Sequence, residues 1–263
     1  MDLDITNSAK ALQCDTSTRF PSSIATLIPA WEPTTVLVDL ARELIRYECD
    51  KIVVVDDGSS IERQEAFRAI SQSHRVTVLH HPKNAGKGSA LKTGFGHLLA
   101  HHPNCAGVVT ADGDGQHTPA DIVRVAHSLA DSGRFVLGTR NLRENVPLRS
   151  KLGNSLTRCA FHWLTRSCVS DTQTGLRGFP MSILPELTSL PGDRYEYEMT
   201  VLAYLCQRMP APIEVPISTV YLDGNCSSHF DPIWDSVRIY SALLRVALQK
   251  SQFAPAVNKH AAY

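Results

Sequence analysis

The sequence predicts an α/β fold with a mostly parallel sheet flanked by helices. Three observations lead there. From residue 23 onward short β-rich runs alternate with helix-patterned stretches, the runs are apolar on both faces, and polar clusters follow several of them directly. A strand apolar on both faces belongs in a parallel sheet covered by helices on each side.

The first run covers 23–28 and leads into a helical pattern over 35–47. Strands are then expected at 52–55, 76–79, 108–110 and 135–138, with helices at 62–70 and 89–99 between them. A further helix has a sharp start: Thr118 can cap it, Pro119 suits its first position and Asp121 complements the dipole. Beyond Arg140 the rhythm loosens. A helical stretch over 148–164 precedes an Asp/Thr/Gly-rich segment at 171–178, and Pro180, Pro185 and Pro191 interrupt the chain after it. Residues 213–221 read as an outer strand, because Pro216 fits only an edge or bulge, and 232–248 as an amphipathic helix. The simplest organisation is a polar tail at 1–22, one domain at 23–250 divided near 140, and a second tail at 251–263.

At 263 residues the chain can bury a core without disulfides or a structural metal. Its 26 basic and 26 acidic residues cancel, so there is no global footprint for nucleic acid and any anion must be met locally. The seven cysteines are scattered and never form Cys-x-x-Cys, which argues against a disulfide framework and a zinc site and for a reducing compartment. The first twenty residues are polar, unlike a secretory signal, and no run reaches the roughly twenty apolar residues a span requires. These features favour a cytoplasmic protein, with peripheral contact at the inner face of a membrane left open.

Ligands of a parallel sheet bind beyond the carboxyl ends of its strands. Three clusters fall there: Asp56-Asp57-Gly58-Ser59-Ser60, His80-His81-Pro82-Lys83-Asn84-Ala85-Gly86-Lys87-Gly88, and Asp112-Gly113-Asp114-Gly115-Gln116-His117. One residue separates Asp112 from Asp114, so their carboxylates can converge where like charges repel unless a cation lies between them. Hard oxygens select Mg²⁺ or Mn²⁺, and Gln116 can add a neutral one. Asp56 and Asp57 suit either a ribose or base edge or an Asx turn, the turn being preferred. The loop at 84–88 can offer backbone N–H groups to an anion but lacks P-loop spacing. The adjacent pairs His80-His81 and His101-His102 read as surface histidines, since neighbours on a strand face opposite ways. Trp31, Trp163 and Trp234 suit packing, although Trp31 ends the first strand, where a nucleobase can lie.

Taken together these stretches resemble the family 2 glycosyltransferases, and more closely their dolichol-phosphate mannose synthase-like branch. Further matches are Ile28-Pro29-Ala30-Trp31, Gly138-Thr139-Arg140, Asp171-Thr172-Gln173-Thr174-Gly175-Leu176-Arg177, Tyr195-Glu196-Tyr197-Glu198-Met199, Val215-Pro216-Ile217 and Ser228-His229-Phe230. The resemblance implies a GT-A type nucleotide-sugar-binding fold and a UDP- or GDP-sugar donor. It places Pro29, Trp31, Val55 and Asp57 at the nucleoside, Asp112, Asp114 and Gln116 at metal and diphosphate, and Lys87 and Arg140 on the donor side. It sets Asp171, Gln173, Arg177 and His229 toward sugar or acceptor, with Glu196 and Glu198 near the reacting centre. This chain has Trp31-Glu32-Pro33 where the family often has Tyr-Asn-Glu, and His229 where mannose synthases carry Arg and Lys.

Two transferase chemistries are expected to compete. In the first a hexose passes with inversion to a polyprenyl phosphate, whose oxygen is already anionic. In the second the acceptor is a soluble hydroxyl, and Asp171, Glu196 or Glu198 must take its proton. A binding module without catalysis is disfavoured by the two metal-type aspartates, and a dehydrogenase by the missing Gly-x-Gly-x-x-Gly.

Overall fold

The computed structural model describes residues 19–140, 161–162, 165, 168–218 and 241. The helices expected over 148–164 and 232–248 fall outside these but for isolated positions, and His229, Trp163 and Trp234 fall outside altogether.

The elements run β1 (Ile24–Ala30), α1 (Thr35–Arg46), β2 (Ile52–Asp56), α2 (Gln64–Ser71), β3 (Val76–His80), α3 (Lys87–His101), β4 (Gly107–Thr110), α4 (Pro119–Ser132) and β5 (Val136–Arg140). Then come β6 (Arg177–Pro180), α5 (Leu184–Thr188), α6 (Glu196–Arg208) and β7 (Ile213–Ile217). They build one sheet in the order β3-β2-β1-β4-β6-β5-β7. Strands β1 to β4 pair in parallel, β5 pairs in parallel with β7, and β6 alone runs antiparallel to both its neighbours.

The expected α/β class therefore holds, and its cause is visible in β1. Ile24 and Ile28 point to one face, where α1, α2 and α4 bring Leu37, Leu44, Phe67, Ile122 and Leu129. Ala25 and Leu27 point to the other, where α3, α5 and α6 bring Leu91, Phe95, Leu98, Leu187 and Leu202. Both faces of each inner strand are buried, so truncating Leu27 to Ala would cost about 2–5 kcal/mol.

The helix starts follow their caps. Thr118 Oγ1 accepts from Asp121 N at 3.1 Å and Pro119 opens α4, as expected. The segment expected as a helix from 62 enters instead through a 3₁₀ turn, Ile61–Arg63. Helix α3 begins two residues earlier than its periodicity suggests, at Lys87. Strand β5 reaches Arg140, two residues past the expected end.

The prolines of the second half mark boundaries within it. Pro180 ends β6, and Pro185 sits in the first turn of α5, where its missing N–H has no helical partner to lose. Pro216 lies on β7, the edge strand expected from the sequence.

Candidate active site

The sheet brings its functional residues to one edge. From β1 the chain steps outward to β2 and β3, and then returns to place β4 on the other side of β1. Such a reversal opens a crevice beyond the strand ends. Because β6 is antiparallel, its first residue pairs with the last of β4, Arg177 against Thr110, and the preceding segment 171–176 meets the same crevice.

At the end of β2 the two aspartates go separate ways. Asp56 accepts Ser59 N at 2.8 Å, Gln64 Nε2 at 3.0 Å and His80 Nδ1 at 2.9 Å. Burial opposes its charge, but these hydrogen bonds outweigh burial and hold the carboxyl below its ordinary value. The Ser59 bond is the turn preferred from the sequence. Asp57 turns to the next loop, where Oδ1 meets His81 Nδ1 at 2.7 Å and Ala85 N at 2.9 Å, and Oδ2 accepts Gly86 N at 2.7 Å. The loop at 84–88 thus presents N–H groups to an anion, and among its described bonds that anion is the protein's own Asp57. His80 is exposed and His81 lies in the loop, as read, and they are also partners of successive aspartates. The parallel register Asp56 with His80 sets that match.

Beyond β4 the second acidic pair sits in a different field. Lys87 Nζ stands 2.6 Å from Asp112 Oδ1 and 2.7 Å from Glu198 Oε2, joining α3, the β4 loop and α6 in one ion cluster. Burial works against the ammonium, yet the two carboxylates hold its pKa above the ordinary lysine value. Burial also works against Asp112, and the Lys87 charge and His117 hold its carboxyl well below the usual range. Asp114 moves the opposite way: burial and the neighbouring Asp112 charge raise its pKa against one bond from Gln116 N at 3.0 Å. A Cβ at position 175 would strike Asp112 Oδ2, so a side chain there would displace this carboxylate from its place beside Lys87. At Gly88 a Cβ would lie 2.5 Å from Tyr197 Cβ, so glycine allows the close approach of α3 and α6 that brings Lys87 to Glu198.

On the acceptor side several expected roles change. Arg140 and Asp171 bind one another through two parallel contacts, Nε to Oδ2 at 2.7 Å and Nη2 to Oδ1 at 3.1 Å. Asp171 is fully buried, and although burial opposes its charge, Arg140 lowers its pKa, the reverse of what a general base needs. Arg177 is buried too and donates to the carbonyls of Thr174 at 2.9 Å and Glu198 at 2.6 Å, fastening α6 to β6 rather than facing an acceptor. Glu196 Oε1 accepts Asp193 N at 3.0 Å and Arg194 N at 3.2 Å, closing the turn before α6. Gln173 is exposed at the mouth of the crevice. Trp31 is 39% exposed, whereas Pro29 and Val55 are buried in the sheet, leaving at most their backbone for a nucleoside. Sequence reasoning also passed over Glu32, which ties the β1 loop to the β2 loop through Ser59 Oγ at 2.9 Å and Ser60 N.

The residues present suit a hard divalent cation. Asp112, Asp114 and Gln116 offer oxygens from one short turn, and the mutual push on Asp114 is what a cation would relieve. His117, also passed over, is buried with neither ring nitrogen hydrogen-bonded, and its Nε2 stands 3.4 Å from Asp112 Oδ2. Among the described residues no three His, Cys, Asp or Glu groups close a cage around a metal.

Comparison with known proteins agrees with this geometry. The family described as Glycosyl transferase family 2 matches residues 31–180. The UDP-N-acetylglucosamine–dolichyl-phosphate N-acetylglucosaminyltransferase of Methanococcus voltae is 31% identical over 216 residues, covering 75% of this chain and 85% of that one. The human dolichyl-phosphate beta-glucosyltransferase is 26% identical over 216 residues, 76% of this chain and 64% of its own length. Among solved structures, glucosyl-3-phosphoglycerate synthase from Mycobacterium tuberculosis, in complex with Mn²⁺, UDP-glucose and phosphoglyceric acid, superposes with a TM-score of 0.64. That match has 20% identity and covers 85% of this chain and 79% of that one. The fold is therefore the GT-A fold, and the chain belongs to glycosyl transferase family 2, a nucleotide-sugar-dependent glycosyltransferase resembling the dolichyl-phosphate branch.

Proposed function

We propose that this enzyme moves a hexose from a nucleoside diphosphate sugar to a polyprenyl phosphate, with inversion, at the cytoplasmic face of a membrane. One observation carries the choice of acceptor. Two of the carboxylates expected to serve as a base are held by a cation, Asp171 by Arg140 and Glu198 by Lys87, and Glu196 gives one oxygen to its own turn. A hydroxyl acceptor needs a group to take its proton, whereas a phosphate arrives without one. The names of the relatives from Methanococcus voltae and human support the same acceptor class. No described helix is long and apolar enough to cross a membrane.

In this reading residues 23–140 receive the donor and 141–250 the acceptor, within one domain at 23–250. The nucleoside lies against Trp31 and the edge formed by Pro29, Val55 and Asp57. Asp112, Asp114 and Gln116 would hold Mg²⁺ or Mn²⁺, which supplies positive charge to the departing diphosphate. Lys87, still held between Asp112 and Glu198, would present its remaining N–H to that diphosphate as charge develops there. Arg140 and Asp171, locked together, hold the floor of the site in register, and Gln173 meets the sugar or acceptor at its mouth. The acceptor phosphate oxygen forms the new bond to the anomeric carbon as the bond to the diphosphate breaks, and the electron pair leaves with the nucleoside diphosphate.

The test combines purified enzyme, Mg²⁺ or Mn²⁺, UDP- and GDP-sugars, a short-chain polyprenyl phosphate and a set of soluble alcohols. A lipid-phosphate product of inverted anomeric configuration by NMR, abolished by EDTA, is expected. Efficient glycosylation of an alcohol without lipid product would overturn the acceptor, retention would overturn the single displacement, and full activity in EDTA would overturn the metal.

A further inference from the structure

His81 bridges the loop beyond β2 and helix α3. Its Nδ1 lies 2.7 Å from Asp57 Oδ1, beyond the end of β2, and its Nε2 lies 2.9 Å from Thr93 Oγ1 on α3. A hydroxyl can donate or accept, so the ring is held in either protonation state. The same Asp57 carboxylate grips Ala85 N and Gly86 N, the two amides immediately before Lys87. Lys87 has a long flexible stem, and where its nitrogen stands depends on how firmly the first turn of α3 is held. His80, the next residue back, makes a useful contrast. It faces Asp56 with its side chain half exposed, and Asp56 bonds Ser59 and Gln64 rather than the 84–86 turn.

We propose that His81 is a positioning residue: through Asp57 and the Ala85-Gly86 turn it sets the position from which Lys87 reaches the donor's diphosphate. This rests on the reading of Lys87 given above. The His81 ring orients the Asp57 carboxylate, the oriented carboxylate fixes the two amides, and the fixed turn delivers the ammonium to within 2.6 Å of Asp112. A displacement of a fraction of an ångström along this line is enough to weaken a charged contact.

The experiment compares wild type with His81→Leu, His81→Asn, His80→Leu, Lys87→Gln and the His81→Leu/Lys87→Gln double variant. Hydrogen exchange by mass spectrometry is followed over residues 82–90, and binding of UDP with Mn²⁺ by calorimetry. His81→Leu is expected to speed exchange at Ala85 and Gly86 and to weaken UDP about tenfold. His81→Asn, whose amide N–H can replace the Nδ1 donor, restores most of both, and His80→Leu changes neither. Adding His81→Leu to Lys87→Gln costs no further affinity, because the two act in series. Unchanged exchange in His81→Leu, or an equal loss on top of Lys87→Gln, overturns the proposal. Wild-type affinity in Lys87→Gln, or no UDP binding by wild type, overturns the donor reading and the proposal with it. Should His81→Leu fail to fold, Thr93→Val removes the exposed Nε2 partner and carries the same expectations at smaller size.

Discussion

Two pairs of aspartates stand at the ends of β2 and β4, the strands on either side of β1, and one intervening glycine separates their fates. In Asp56-Asp57 the side chains are adjacent and diverge, as successive residues of extended chain do, so each finds its own set of neutral donors. In Asp112-Gly113-Asp114 they converge. Asp112 takes the Lys87 cation, and Asp114 is left with its neighbour's charge, one amide and a raised pKa. The first pair is satisfied by the protein, while in the second Asp114 sits against its neighbour's charge, which a bound divalent cation would relieve.

The largest effect expected from this contrast falls on activity. Asp114→Asn should lower transfer by about 10²–10³-fold, the range for losing one electrostatic contact to a developing charge. Because burial and the Asp112 charge outweigh the attraction of Lys87 and His117 at Asp114, melting of the metal-free variant should match or exceed wild type. Near wild-type turnover would erase the distinction between the pairs.

Next in size is a stability effect at the other pair. Asp57→Asn turns an amide toward backbone donors in a buried place and should cost about 3 kcal/mol in urea unfolding. An unchanged unfolding midpoint would show that the 81–86 loop does not depend on this carboxylate. Comparable in kind is Arg140→Met, which strands the fully buried Asp171 and should destabilise by about 3–5 kcal/mol, with Arg140→Lys recovering only part of it.

The smallest effect sharpens the contrast by sign. Asp56 has a depressed folded pKa, so its stabilisation is present above the unfolded carboxyl value of about 4 and is lost as pH falls through the lower folded value. Asp114 has a raised one, so its contribution is full below the unfolded value and is lost as pH rises through the folded value. Thermal melts of metal-free protein between about pH 3 and 7 should therefore show Asp56→Asn hurting most at neutral pH. Asp114→Asn should help most there. Shifts of the same sign would contradict the opposite electrostatic settings of the two pairs.

The first half of the fold was legible residue by residue because its signals are local. Apolar runs of strand length, Thr118 with Pro119 at a helix start, and polar turns after buried strands each follow from a few consecutive side chains. The Asp112-Gly113-Asp114 spacing likewise states its own electrostatic problem. What the sequence could not state is who answers whom across the sheet. That Arg140 closes on Asp171, and that Arg177 serves α6 rather than an acceptor, depends on β6 entering the sheet antiparallel. That His81 meets Asp57 depends on the register of β3 on β2, and that Lys87 reaches Glu198 depends on α3 and α6 packing on one face. Periodicity and turn chemistry act between near neighbours and are written in the chain, whereas the partner of a charge is chosen by which surfaces the hydrophobic core brings together.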